Sequence, residues 1–167
     1  QPQISTAYFD DDPLRPYNIM HTSFLINSNK IDFTIKKKSN NKIHIHSEFI
    51  PDGVSFKTDL VLGPGSCSNV RSNLQFTENA KINSTDQSIL VQGEYPKNCP
   101  EFEHDISLTD PNHYFIGAFK KLWVESGGSF NGYISEAKTG LYKRLIISFD
   151  SPSLNEVIIK GIKDSDN

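Results

Sequence analysis

The chain has 167 residues, with 17 Lys and Arg against 20 Asp and Glu, a formal charge of −3 and a pI near 5.9. That length suits one domain with a full core. The acidic balance argues against nucleic acid as a partner, and no apolar run approaches the roughly 20 residues of a membrane-spanning helix.

Residues 1–16 read as an extended lead-in, because Asp10-Asp11-Asp12-Pro13 is too acidic and proline-bounded for a core element. Asn18 to Ile26 reads as a first strand, turned by Asn27-Ser28-Asn29. The clearest signal follows. Ile31, Phe33 and Ile35 alternate with polar residues, as do Ile43, Ile45 and Phe49, which is the period of strands with one buried face. Ser39-Asn40-Asn41 joins them, and Asn41 tolerates the left-handed conformation such a loop requires. Pairing Lys38 with Lys42 sets Ile35 opposite Ile45, Lys36 opposite His44 and Thr34 opposite His46.

Pro51-Asp52-Gly53 is a turn, and Val54, Phe56, Thr58, Leu60 and Leu62 alternate through the next strand. Weaker strands are expected at 69–77, 87–92 and 101–108, with a polar loop at 79–86. Asn83-Ser84-Thr85 fits the glycosylation pattern, a string common by chance in a chain rich in Asn and Ser. A helix is expected over 111–125, capped by Thr109-Asp110 with Pro111 in its first turn and stopped by Gly127-Gly128. Phe115, Ile116, Phe119, Leu122 and Trp123 form its apolar stripe, which should face the core. Strands are expected at Phe130–Glu136, Leu141–Phe149 and Leu154–Ile162, before a frayed tail at 163–167. The sum is a mainly β single domain over 1–167. It would be an antiparallel, jelly-roll-like sandwich or partly closed barrel of about nine or ten strands with one amphipathic helix.

Cys67 and Cys99 sit in turn-rich surroundings without metal-site spacing and are expected to form a disulfide. A disulfide, and a first residue that is Gln rather than Met, suit a secreted or periplasmic protein after removal of a signal peptide.

His44 and His46 would project from one strand face and could reach a zinc ion, with His21, His104 or Glu48 as a third ligand. Asp10-Asp11-Asp12 offers oxygen ligands for calcium without the spaced loop that usually holds it. The baseline expectation is no cofactor. Lys30, Lys36, Lys37, Lys38 and Lys42 crowd the hairpin end, where they could meet an anionic surface or simply block pairing with other chains. In a strand, Glu101, Glu103 and Asp105 share one face and Phe102 and His104 the other, which permits acid–base work if a cleft raises a carboxylate pKa. Phe130, Tyr133 and Tyr142 could stack on a sugar. For nucleophilic catalysis, Gly-x-Ser-x-Gly, Ser-x-x-Lys and His-Glu-x-x-His are all read as absent. The resulting expectation is a non-catalytic binding or accessory protein for a glycan or protein surface. The alternatives are a lipocalin-like carrier of an apolar ligand and a metal-dependent hydrolase built on His44 and His46. Nothing in the sequence speaks to oligomeric state.

Overall fold

The computed structural model describes residues 12–19, 25–38, 40–80, 86–131, 150 and 152–165. Residues 1–132 and 133–167 form two units, each described by itself.

The first unit is mainly β. Strands β1 (Lys30–Lys37), β2 (Ile43–His46) and β6 (Glu101–Ser107) make one antiparallel sheet in the order β2-β1-β6. Strands β3 (Val54–Gly63), β4 (Leu74–Ala80) and β5 (Gln87–Pro96) make a second, in the order β3-β5-β4. The hairpin register is the one the alternation implies: Ile35 faces Ile45, Lys36 faces His44 and Thr34 faces His46. Lys38 N–H donates to the Lys42 carbonyl at 2.9 Å, and Asn41 adopts φ 59° at the turn.

The inner faces of the two sheets share one core. Ile31, Phe33, Ile35 and Ile106 come from the first sheet, and Leu74, Ile89, Val91 and Tyr95 from the second. Phe33 meets Phe56 at 4.9 Å and Phe76 at 5.8 Å between ring centroids. The buried Tyr95 hydroxyl donates to the Ile35 carbonyl (3.2 Å), so the phenol bridges the sheets without an orphaned polar group. Cys67 and Cys99 form the expected disulfide, with Cα atoms 5.1 Å apart. It ties the turn before α1 (Val70–Asn73) to the turn between β5 and β6. By chain entropy, closing 32 residues contributes about 3–4 kcal/mol.

Several expectations are corrected. The mainly β character is as expected; the described residues hold six strands in two three-stranded sheets and no closed barrel, so they do not establish a sandwich or barrel of nine or ten strands. β3 pairs with β5 in parallel, with Phe56 beside Ile89 and Leu60 beside Gly93. This is possible because α1 and β4 form a crossover long enough to return the chain in the same direction. The segment read as a first strand begins instead with a 3-10 turn at Pro16–Asn18, and its residues 20–24 lie outside the described set. So do the expected strand 141–149 and most of 130–136.

Helix α2 (Pro111–Glu125) has the expected bounds, with the Asp110 side chain accepting from Asn112 N–H at 2.9 Å. Its buried face is not the aromatic stripe. Pro111, Tyr114, Gly117 and Ala118 are buried, while Phe119, Leu122 and Trp123 are 38%, 53% and 48% exposed. Gly117 sets this rotation. Its carbonyl accepts from Asp52 N–H at 3.1 Å, and a Cβ there would stand 2.5 Å from the Asp52 carbonyl oxygen. The helix docks through its small residues, and Phe115, Phe119 and Trp123 stack along the other side at 6.1 and 6.0 Å.

In the second unit, residues read as a final strand form a helix, α3 (Leu154–Ser165). The reason is local. Ser153 and Glu156 make a capping box: the Glu156 carboxylate accepts from Ser153 N–H (2.7 Å), and Ser153 Oγ accepts from Glu156 N–H (3.3 Å). Leu154, Val157 and Ile158 then recur at i, i+3 and i+4.

Candidate functional site

The outer face of the β2-β1-β6 sheet carries a polar groove of about 630 Å³. Alternation produces it. When Ile31, Phe33 and Ile35 turn inward, Asp32, Thr34 and Lys36 must turn outward. The register then sets three rows across the sheet: His44, Lys36 and Glu101; His46, Thr34 and Glu103; and Asp32 beside Asp105. Ser47 and Glu48, just beyond β2, close one side of the groove. Lys36 pairs with Glu101 at 3.1 Å and Lys30 with Asp32 at 2.7 Å. The hydrogen bond to Asp32 raises the Lys30 pKa, against a small opposing effect of desolvation.

Three sets of sequence candidates therefore meet on one face: the His44–His46 pair, Lys36, and the row Glu101, Glu103 and Asp105. Lys37 and Lys38 lie away from this groove at the hairpin end, where Lys37 N–H donates to the Pro100 carbonyl at 3.3 Å. The structure does not assemble a metal centre from these groups. Among the described residues no cluster of three or more His, Cys, Asp or Glu is arranged to hold an ion. His104 points the other way, into the core side of β6, with its ring 4.9 Å from Phe76 and 5.6 Å from Phe102. Burial, aided by Arg71, lowers its pKa from 6.5 to about 4, so it is a neutral packing residue at pH 7. His21, Asp10 and Asp11 lie outside the described residues, and Asp12 is paired with Arg15 and Arg71.

Glu78 is the half-buried carboxylate that sequence reasoning passed over. It reaches from β4 to the entry of α2, where Oε2 accepts from Thr109 N–H at 3.1 Å and Oε1 from the Gln87 side-chain amide. Desolvation raises its pKa, partly offset by the Thr109 hydrogen bonds. No pattern in the sequence marks it, since its placement depends on the turn before α2 meeting β4 through Thr109. Of the proposed sugar platform, Phe130 packs edge-on against Phe119 (6.1 Å) with Lys120 Nζ 5.5 Å from its centroid. Tyr133 and Tyr142 lie outside the described residues.

Three short strings also escape the reading above. Ser39-Asn40-Asn41-Lys42 and Ser135-Glu136-Ala137-Lys138 both have Ser-x-x-Lys spacing, and Ser165-Asp166-Asn167 is a Ser-Asp-Asn. Ser-x-x-Lys, Ser-Asp-Asn and Lys-Thr-Gly together are the motif set of penicillin-binding serine acyltransferases and class A β-lactamases. Lys138-Thr139-Gly140 has the letters of the last. Ser39 lies outside the described residues. Residues 132–149 lie outside the described set, and Ser165 is the last residue of α3.

Comparison with known proteins bears directly on these strings. Residues 1–167 match the family model of D-Ala-D-Ala carboxypeptidase 3 (S13). No curated protein matches. Among solved structures, penicillin binding protein 4 (dacB) from Haemophilus influenzae aligns at 12% identity and TM-score 0.47, over 71% of this chain and 25% of that one. Its complex with a novel beta-lactam aligns at 12% identity and TM-score 0.45, over 73% of this chain and 29% of that one. The chain thus spans less than a third of the length of the solved structures it matches. The family match overturns the expectation of a non-catalytic, carbohydrate-binding accessory protein, and with it the apolar-ligand carrier and the histidine-centred hydrolase. Over its full length the chain belongs to the D-Ala-D-Ala carboxypeptidase 3 (S13) family.

Proposed function

We propose that this chain is part of a serine D-Ala-D-Ala carboxypeptidase and that Ser165-Asp166-Asn167 is its Ser-Asp-Asn element. The observation that carries the reading is the occurrence of that string inside a chain whose residues 1–167 all match the family. Acyl transfer to serine splits the cleavage of a D-Ala-D-Ala peptide bond into two steps. A nucleophilic hydroxyl attacks the carbonyl and D-alanine leaves, and then water attacks the acyl-enzyme. Each step needs a proton moved at the leaving or attacking atom. A second serine hydroxyl both accepts and donates, so Ser165 can relay a proton to the departing amine. The Asn167 carboxamide offers two donors and an acceptor, which suits it to holding the peptide's own amide. Helix α3, started by the Ser153–Glu156 capping box, delivers Ser165 at its last turn.

The Cys67–Cys99 disulfide supports work in an oxidising compartment outside the cytoplasm, the periplasm or the cell exterior. No described helix is long and apolar enough to cross a membrane.

The test is D-alanine release from a peptide ending in D-Ala-D-Ala by the enzyme as the cell makes it, with and without Ser165→Ala. Loss of a proton relay is expected to lower kcat by about 10²-fold or more with a smaller change in KM. Full activity in Ser165→Ala would remove the assignment of this string. Absence of both turnover and covalent labelling by a β-lactam in the unaltered enzyme would remove the proposed activity.

A further inference from the structure

The structure gathers lysines from two separate turns at one end of the β unit. Lys36, Lys37, Lys38 and Lys42 belong to the β1–β2 hairpin. Lys97 belongs to the turn between β5 and β6, and its backbone carbonyl accepts from Lys37 Nζ. Lys36, Lys38, Lys42 and Lys97 are all exposed. Two carboxylates share this end: Glu101, paired with Lys36, and Glu94, whose side chain lies over Gly63 beside the Lys97 turn. Five lysines against two glutamates leave a local charge of +3, so the other residues of a chain whose total is −3 carry −6.

We propose that this end is a docking surface for an anionic lipid bilayer. Lys37, Lys38, Lys42 and Lys97 line neither the 630 Å³ groove nor a second groove of 520 Å³ beside α2, so they offer an open surface rather than the walls of either groove. Two adjacent turns place the exposed Lys38, Lys42 and Lys97 at the same end, where their ammonium groups can approach a plane together. A linear polyanion would be served better by an unbroken basic stripe along a strand, and the outward row of β1 is interrupted by Asp32 and Thr34 between Lys30 and Lys36. The chemistry also sets the depth. Residues 36–38, 40–42 and 97–98 are Lys and Asn throughout, with no aromatic or bulky apolar side chain to insert. Contact is therefore with head groups alone, and salt reverses it. The acidic remainder is repelled from the same surface, which fixes the orientation of the β unit with this end toward the lipid.

The experiment is co-sedimentation of the enzyme as the cell makes it with vesicles of phosphatidylcholine, with or without phosphatidylglycerol, at low and high salt. The variants are Lys38→Glu/Lys42→Glu and, as a control of equal charge change elsewhere, Lys57→Glu/Lys120→Glu, both checked for native far-UV dichroism. Binding is expected only to the anionic vesicles and only at low salt. The hairpin variant should partition at least about tenfold more weakly while the control stays within about threefold of the unaltered protein. Equal binding to neutral vesicles overturns the proposal, as does equal loss in both variants. Binding to soluble polyphosphate without binding to vesicles overturns it in favour of a polymer ligand.

Discussion

Acid should weaken this fold through His104. The ring lies among Phe33 (5.8 Å), Phe76 (4.9 Å) and Phe102 (5.6 Å), and burial, followed by repulsion from Arg71, holds its pKa at about 4 against 6.5 in an unfolded chain. For a base with a depressed folded pKa, the unfolded state takes up the proton first as pH falls. The stability this ring contributes is thus intact above pH 6.5 and is lost between pH 6.5 and about 4. A fall from 6.5 to about 4 corresponds to roughly 3.4 kcal/mol at most, and the ring is only partly buried, so solvent screening brings the expected effect to about 1.5–2 kcal/mol. His104→Phe keeps an aromatic ring in the same slot and removes the titration. Urea unfolding followed by far-UV dichroism, with the disulfide intact, compares the two proteins at pH 7.5 and 4.5. The native protein should lose about 1.5–2 kcal/mol more than the variant on acidification. A difference between the two proteins that does not change with pH would refute the reasoning, because it would mean His104 titrates alike in folded and unfolded chains.

Glu78 should act in the opposite sense. Its folded pKa is raised by burial, so the folded state holds its proton to higher pH than the unfolded state, and stability falls as pH rises from about 4.5 through the folded pKa. Glu78→Gln keeps an acceptor for Thr109 N–H and should flatten that part of the Tm–pH curve, whereas parallel curves would count against it. At Gly117 a Cβ would stand 2.5 Å from the Asp52 carbonyl and 2.9 Å from Pro51. Gly117→Ala should therefore destabilise the protein by about 1–3 kcal/mol in urea titrations despite alanine's better helix propensity. A neutral or stabilising effect would show that α2 can lift from the 51–52 turn at little cost.

The family is shown by comparison, and the activity proposed from it does not rest on the geometry of the sheets. The outer face of the β2-β1-β6 sheet is an ordinary strand face crossed by two ion pairs, Lys30–Asp32 and Lys36–Glu101. The chemistry of the proposed activity rests on residues outside the sheets. Ser165-Asp166-Asn167 was passed over as part of a frayed tail, because three letters alone carry little weight in a chain rich in Ser and Asn. The family match across all 167 residues is what raises it above chance.

Local physics was readable wherever neighbours along the chain decide the outcome. The hairpin register followed from alternation and from Asn41, the bounds of α2 from Asp110, Pro111 and Gly127, and the disulfide from two cysteines without metal spacing. Helix α3 belongs in the same class. Ser153 and Glu156 announce it, but the apolar run Val157-Ile158-Ile159 resembles a covered strand, and the sequence reading followed that run without noticing the capping box. Tertiary structure alone decided the rest. Alternation says that β3 has a buried face but not which strand lies beside it, so its parallel pairing with β5 emerged only when the α1–β4 crossover was in place. The apolar stripe of α2 says which side can be buried, but contact depends on how closely backbones approach. Gly117 and Ala118 permit a closeness that Phe119 and Trp123 forbid, and so the helix turned its smaller face to the core.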